Sequence, residues 1–306
     1  MDARMDSGYF FIVTTEIIFV IGLITHVFII AVNAIAWKRR TISTSDQVTI
    51  SIVIIKVTLQ LLVQIKVFLE SFEEIYLLII LWISEVLFLS SVFSSIWLST
   101  LLSIVLYLKI STRHNVVFLW LKMAIMKNIL SLIITIVLVS IGYCSIISVI
   151  MYFSASQNST QEYLLNNQEL HQTMEAFYYI YHILPFIICL LSSLLLIISL
   201  TFHISQIRYT QNSASSLHVY YRTIKYTTVS LLTCALYIIL NIMEGELNSD
   251  FSNFLWIICT TFHSMYIIYV TTTLRKHFSR VLLQLTNPLF REKEPNSNEQ
   301  AVTVTS

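Results

Sequence analysis

The residues of this sequence that could do chemistry stand singly inside long apolar runs. Lys56 lies in one such run and Glu85 in the next, and each side chain carries a full charge. Burying a charge is costly unless it is paired or hydrated, so both side chains should face other parts of the protein. Lys56 and Glu85 are therefore the first candidates for a functional role.

Two interpretations of Lys56 remain open. The ammonium group could act as a switch, donating to carbonyls or hydroxyls of neighbouring helices in one state only, or it could be a static structural tie. His26 and Asn33, two helical turns apart on an earlier apolar run, are candidate neighbours of this group. His26, Asn33 and Lys56 thus form a predicted polar centre.

Glu85 begins a stripe that could contact a ligand. With Phe88 and Val92 it follows the i, i+3, i+7 spacing that places side chains on one helix face. A partly desolvated carboxylate beside an aromatic ring favours a cationic amphiphile as ligand. The alternative is a salt bridge between Glu85 and Lys66, and the sequence leaves both interpretations open.

Nothing in the sequence indicates catalysis, a metal site or a cofactor, so we do not expect an enzyme. The histidines of the apolar runs are scattered singly, whereas catalysis or metal binding would need them clustered with other ligands. The cysteines also lie within apolar runs and lack metal-ligand spacing, which predicts buried free thiols. They are Cys144, Cys189, Cys234 and Cys259.

Composition indicates that lipid surrounds the chain. Hydrophobic residues make up 56% of the 306 residues and charged residues only 11%, and the mean hydropathy is +0.77. In a soluble domain roughly a quarter of the residues are charged, and this chain falls well below that share. The net charge of +1 gives no reason to expect a nucleic-acid partner.

The apolar runs predict seven membrane-spanning helices. Crossing about 30 Å of hydrocarbon takes roughly 20 residues of α-helix, and β-barrel strands would instead alternate over about ten residues. The predicted fold is therefore an all-α, seven-transmembrane helix bundle within residues 1–285. Its spans are predicted at 9–37, 47–69, 75–108, 124–153, 177–203, 223–243 and 253–273.

Charge in the loops predicts an extracellular amino terminus and a cytoplasmic carboxyl terminus. Basic residues follow spans one, three, five and seven, while acidic residues occupy the alternate loops, and the positive-inside rule places the basic loops in the cytoplasm. The single glycosylation sequon, at Asn158, falls in a loop assigned to the outside. We expect a multi-pass protein of the plasma membrane.

A short amphipathic helix is predicted after span seven, over residues 274–285. Leu274, Phe278, Val281 and Leu282 recur at helical spacing with basic residues between them, as in helices that lie on a membrane surface. Residues 286–306 are polar and aperiodic, which predicts a disordered cytoplasmic tail.

Motifs decide which kind of seven-span protein this is. The acid-Arg-Tyr triplet, the Asn-Pro-x-x-Tyr motif and the extracellular disulfide of rhodopsin-like receptors are absent. Instead, the end of span three and the loop after it closely resemble the bitter taste receptors (taste receptor type 2). The matching residues are Trp97, Leu98, Thr100, Leu102, Ser103, Leu108 to Ile110, Phe118 to Lys122, Pro185, Phe186, Leu195 to Ile197, Ser199, Leu200, His203, His218, Val219, His263 and Ser264.

The resemblance implies a G-protein-coupled chemosensory receptor with the architecture predicted above. A small bitter-type agonist would bind in the outer half of the bundle, where the resemblance adds Phe88 and Val92 to the pocket. A heterotrimeric G protein of the gustducin-like or inhibitory class would bind the cytoplasmic face. Basic residues ring that face, although topology alone would also require them: Lys109, Arg113, Lys122, Arg208, Arg222 and Lys225.

Three histidines keep two interpretations each. His182, at the outer end of span five, either faces the pocket or packs against neighbouring side chains. His203 and His263 match family motifs near the inner ends of their helices, where they serve either activation or packing. The family commonly has Asn, Arg and Asn where this chain has His26, Lys56 and Val92, which indicates a divergent member.

Two other functions compete with this interpretation. A vomeronasal type 1 pheromone receptor has a similar size and topology, but we do not expect it to share the motif around Phe118 to Lys122. A small-molecule transporter should show an internal repeat and broken helices rich in glycine or proline. The chain has only four glycines and three prolines.

Overall fold

The computed structural model describes residues 2–39, 42–70, 77–110, 116–156, 164–209, 214–243 and 247–291. Within these ranges the chain is helical apart from short connections, and no strand occurs there. The helices are α1 (Asp2–Lys38), α2 (Thr44–Glu70), α3 (Leu77–Ile110), α4 (Val116–Lys127), α5 (Ile129–Ser156), α6 (Leu164–Tyr209), α7 (Ala214–Met243), α8 (Ser249–Val270) and α9 (Thr272–Arg291).

Seven of the described helices are long and apolar enough to cross a bilayer, namely α1, α2, α3, α5, α6, α7 and α8. This confirms the predicted fold class, an all-α bundle with seven membrane spans. The number of spans was predictable because a stretch of chain in lipid must satisfy its own backbone hydrogen bonds, and an α-helix does so within itself.

The helices extend beyond the apolar runs that predicted them. α6 begins at Leu164, well before the predicted start at residue 177, although its apolar span is only Ile183–Ser205. Hydropathy marks the part of a helix that lies in lipid, whereas the backbone ladder can continue into water. α4 and α5 also nearly form one helix, since the N–H of Asn128 donates to the carbonyl of Ala124 at 3.3 Å.

α3 lies at the centre of the bundle and contacts α2, α5, α6 and α7. Small hydroxyl residues cover much of its buried surface, and small side chains let neighbouring helices approach closely in a membrane. Several of these hydroxyls donate to carbonyls of the preceding turn, as Ser99 does to Ser95 at 2.8 Å, whereas the hydroxyl of Ser95 itself is buried without a hydrogen-bond partner. The buried members are Ser84, Ser90, Ser91, Ser94, Ser95, Ser99, Thr100 and Ser103.

α9 leaves the bundle at Thr271, whose extended backbone (φ −81°, ψ 112°) ends α8. Leu274 is buried against α1 and α8, and Phe278 contacts Phe28 of α1 edge to face with centroids 5.6 Å apart. Beyond this anchor, Val281 and Leu282 remain exposed. α9 runs to Arg291, past the predicted helix end at residue 285, and residues 292–306 of the predicted tail lie outside the described residues.

Candidate functional site

A buried polar layer lies where α1, α2 and α8 meet. The ammonium group of Lys56 donates to Nδ1 of His263, and both side chains are 1% exposed. His26 Nε2 shares a hydrogen bond with the hydroxyl of Ser264 at 2.7 Å, and both of these residues are fully buried. Two adjacent residues of α8, His263 and Ser264, therefore form side-chain hydrogen bonds with α2 and α1, respectively.

A second contact lies one helical turn away from this layer. The amide of Gln60 on α2 donates to the hydroxyl of Thr261 on α8 at 2.8 Å. Gly22 of α1 faces this pair so closely that a Cβ there would overlap both Thr261 Oγ1 and the Gln60 amide. A glycine is therefore needed for α1 to approach α2 and α8 at this level.

Lys56 also reaches a fourth helix. Its ammonium nitrogen lies 5.6 Å from the centroid of the Tyr237 ring on α7, within cation–π range. Among the described residues, no carboxylate forms an ion pair with Lys56. An imidazole nitrogen and an aromatic face thus surround this buried ammonium group. Lys56 therefore contacts α7 and α8 from α2 with a single side chain.

An aromatic cluster adjoins the layer on the side toward the start of α3. Trp256 of α8 contacts Phe88 of α3 edge to face at 5.2 Å and stacks on Tyr237 of α7 at 5.5 Å. Phe88 and Val92 are 2% and 0% exposed, so in this packing they lie within a hydrophobic core and not along an open cavity. Their predicted place in a ligand pocket stays a prediction.

Glu85 and Lys66 form an ion pair next to this cluster. Lys66 Nζ lies 3.2 Å from Glu85 Oε2, and the two side chains are 23% and 36% exposed, respectively. The same ammonium lies 5.7 Å from the Phe88 ring. Of the two interpretations left open by the sequence, the salt bridge is the one present in the structure, and it covers one edge of the aromatic cluster.

The other predicted site residues are dispersed. Asn33 donates its amide to Ile29 of its own helix at 2.8 Å, and His203 stacks on Tyr220 with centroids 6.4 Å apart. Lys109 and Lys225 are exposed, and Lys122 and Arg222 are half-buried. Asn158 and Arg113, with the side chains of His182 and Arg208, lie outside the described part of the chain.

The four cysteines are free, as the sequence predicted. Cys144, Cys189 and Cys234 are buried, whereas Cys259 is half-buried. In the ranges that the structure describes, no group of side chains has the composition of a metal site.

The sequence indicated Lys56, His26 and His263 but not the neighbouring contact between Gly22, Gln60 and Thr261. Local signals for two of them existed. Gly22 lies one turn before His26, and Gln60 lies one turn after Lys56, each on the same helix face. A polar or glycine residue one turn from an intramembrane charge marks where helices approach each other.

Comparison with known proteins gives the family. The model of the taste receptor protein (TAS2R) family matches residues 1–286. The chain is 25% identical to taste receptor type 2 member 8 of Gorilla gorilla gorilla, with 92% of this chain and 97% of that protein covered. It is 28% identical to taste receptor type 2 member 9 of Homo sapiens, with 96% and 99% covered. The chain therefore belongs to the taste receptor type 2 family, the G-protein-coupled bitter taste receptors of the membrane.

Proposed function

We propose that this receptor binds small bitter-type molecules near Glu85 and signals through a gustducin-like or inhibitory-class G protein at the opposite end of the bundle. The observation that carries the proposal is the hydrogen bond from Lys56 to His263 within the buried layer. It lies between the ion pair at Glu85 and the basic residues predicted to contact the G protein. A change of helix packing at one end would therefore alter this bond.

The orientation is part of the proposal. We infer that the amino terminus is extracellular and the carboxyl terminus cytoplasmic at the plasma membrane, because basic residues are concentrated in the loops after odd-numbered spans. Phe11 near the start of α1 contacts Phe251 and Phe254 near the start of α8, which supports a parallel arrangement of the first and last spans. In this orientation Glu85 faces the outside of the cell.

The proposed pocket lies at Glu85, with Phe88, Val92 and His182 around it. The ion pair between Lys66 and Glu85 is about one-third exposed at its carboxylate, so an approaching cationic group can compete with Lys66. Reaching Phe88 would require the ligand to open the packing between Phe88 and Trp256. Binding would then be coupled directly to the packing of α3 against α8.

The proposed switch is a change of partner for Lys56. A ligand shifts an equilibrium between two packings by its difference in affinity for them. In the resting packing Lys56 donates to His263, and His26 is bonded to Ser264. In the signalling packing these contacts are broken as α7 and α8 move. Asn33 and His203 would act at the inner ends of α1 and α6.

On the cytoplasmic side we propose that the basic residues form the G-protein surface. Lys109 is exposed in the last turn of α3, which supports its availability to a partner, and Lys225 is exposed in the first half of α7. The match to the taste receptor family covers residues 1–286 and argues against the vomeronasal and transporter alternatives.

The test is a calcium-mobilisation screen in cells that express the receptor with a promiscuous taste-type G protein. A panel of bitter compounds should include at least one agonist, and replacing the G protein with an inhibitory-class one should preserve its response. Silence across the panel, with surface expression confirmed by antibody labelling, would contradict the proposed ligand class. A response that is lost with every inhibitory-class G protein would contradict the proposed coupling.

A further inference from the structure

Two hydrophobic clusters lie toward the end of the bundle opposite Glu85. The first, the α3 cluster, joins α2, α3 and α5 through Val48, Ile52, Leu98, Leu101, Leu102, Val105, Ile129 and Ile133. The second, the α8 cluster, joins α1, α2, α8 and α9 through Ile29, Val53, Ile267, Ile268 and Leu274. Among the described side chains, α7 adds no buried hydrophobic residue to either cluster. In this part of the chain, only a partly buried residue of α7 can therefore contact them.

Tyr226 is the α7 side chain that makes this contact. Of the residues that the structure describes, it alone packs against both the α3 cluster and the α8 cluster. It lies near the beginning of the apolar span Tyr220–Met243, about three helical turns before Tyr237, whose ring lies beside Lys56 of α2. Three full turns return to the same side of a helix, so Tyr226 and Tyr237 lie on one face of α7.

The hydroxyl of Tyr226 points toward the beginning of α2. Thr49 and Asp46 of α2 interact with it electrostatically, but in this packing the hydroxyl is buried without hydrogen-bond geometry to any described residue. A buried tyrosine hydroxyl that lacks a partner does not stabilise the packing around it. The contact between α7 and the two clusters therefore depends on the aromatic ring, which removes apolar surface from water and lipid on both of its faces.

We propose that the ring of Tyr226 holds the start of α7 against the α3 cluster and the α8 cluster in the resting packing. This role rests on the proposed function, in which α7 and α8 move when the receptor signals. Displacing one ring would separate α7 from both clusters together, so the contact has two discrete arrangements.

Lys225 connects this contact to the cytoplasmic surface. It precedes Tyr226 in the chain and is exposed, whereas Tyr226 faces the two clusters. Because the two residues are neighbours on one rigid helix, release of Tyr226 must also move Lys225, which belongs to the surface proposed to bind the G protein. Tyr226 is thus a positioning residue, which acts on that surface through the position of α7.

A distance measurement tests this role without an agonist or a G protein. Spin labels are attached to the full-length receptor in nanodiscs through Tyr221→Cys on α7 and Lys127→Cys on α4, where both native side chains are exposed. None of the four native cysteines is exposed. Tyr226→Ala should shift the distance distribution between the labels to longer values, because α4 contacts α3 and the variant removes the ring that joins α7 to the α3 cluster.

Tyr226→Phe should keep the native distribution, because it retains the ring and removes only a hydroxyl that forms no hydrogen bond here. The matched control is Tyr269→Ala on α8, where the native tyrosine is 64% exposed. It should also leave the distribution unchanged. Monodisperse elution verifies folding of each variant, and Tyr226→Leu replaces Tyr226→Ala if the smaller side chain prevents folding.

Agonist-independent G-protein activation at matched surface expression gives a second readout. We expect Tyr226→Ala to raise this activation several-fold and Tyr226→Phe to leave it at the native level. An unchanged distance distribution in Tyr226→Ala, or the same shift in Tyr226→Phe, would overturn the role of the ring. A longer distance in Tyr226→Ala without a rise in activation would support the contact of Tyr226 and contradict the proposed coupling of helix packing to the G protein.

Discussion

Lys56 of α2 donates a hydrogen bond to Nδ1 of His263 on α8, and both side chains are almost completely buried. The bond joins two spans that are 207 residues apart in the chain. Removing one partner would leave the other buried without its hydrogen bond, which typically costs about 1–3 kcal/mol and more for a charged group. The hydrogen bond between Lys56 and His263 therefore contributes to the stability of the bundle and holds α2 against α8.

The first prediction concerns this coupling. Lys56→Met and His263→Phe should each lower the thermal unfolding temperature of the purified receptor, because each leaves an unpaired polar group in the core. The double variant should lose less than the sum, with an interaction energy of about 0.5–3 kcal/mol. Thermal unfolding of all four proteins in one detergent measures the cycle, and simple additivity would show that the two side chains do not interact.

The second prediction concerns the close approach at Gly22. Gly22→Ala should destabilise the receptor, since the added methyl group would overlap Gln60 and Thr261 and break their hydrogen bond. Gly142 of α5 is the matched control, because a Cβ there would meet nothing within 4 Å. Gly142→Ala should be neutral or stabilising by about 0.5–1 kcal/mol, as expected for alanine in a helix interior. Equal unfolding temperatures for the two variants would disprove the close contact.

These two predictions mark the boundary of what the sequence could reveal. The seven spans were predictable because hydrophobic length is a local property, and the inward direction of Lys56 followed from the cost of its charge. Local spacing marks Gly22 and Gln60, but their contact with Thr261 depends on how three helices are rotated about their axes, which no local pattern determines. The spacing predicted that Phe88 and Val92 share one face of α3, but their burial depends on packing with residues of other helices, Trp256 among them.

The third prediction concerns ligand charge. Glu85→Gln should raise the half-maximal concentration of amine agonists several-fold and leave that of neutral agonists unchanged, because the amide lacks the carboxylate's negative charge. Lys66→Gln should act in the opposite direction on amines, since it removes their competitor for the carboxylate. Dose–response curves at matched surface expression provide the measurement. An equal loss for both agonist classes would assign Glu85 to structure alone.

The fourth prediction concerns orientation. Asn158→Gln should abolish the shift in gel mobility that a glycosidase produces on the receptor from mammalian cells, because its sequon would lie in the lumen and then outside the cell. Asn166→Gln, which changes an asparagine outside any sequon, is the control and should retain the shift. A native receptor that shows no shift, combined with a cytoplasmic amino-terminal tag, would reverse the proposed topology.

The most direct test of the central claim is basal signalling by Lys56→Gln at matched surface expression. If the contact between Lys56 and His263 holds the resting packing, its loss should raise agonist-independent G-protein activation several-fold. Lys127→Gln, at an exposed lysine on α4 that is not assigned to the switch or to G-protein contact, should leave it unchanged. Basal activity and agonist potency that both equal those of the native receptor would contradict the switch and leave Lys56 as a static structural tie.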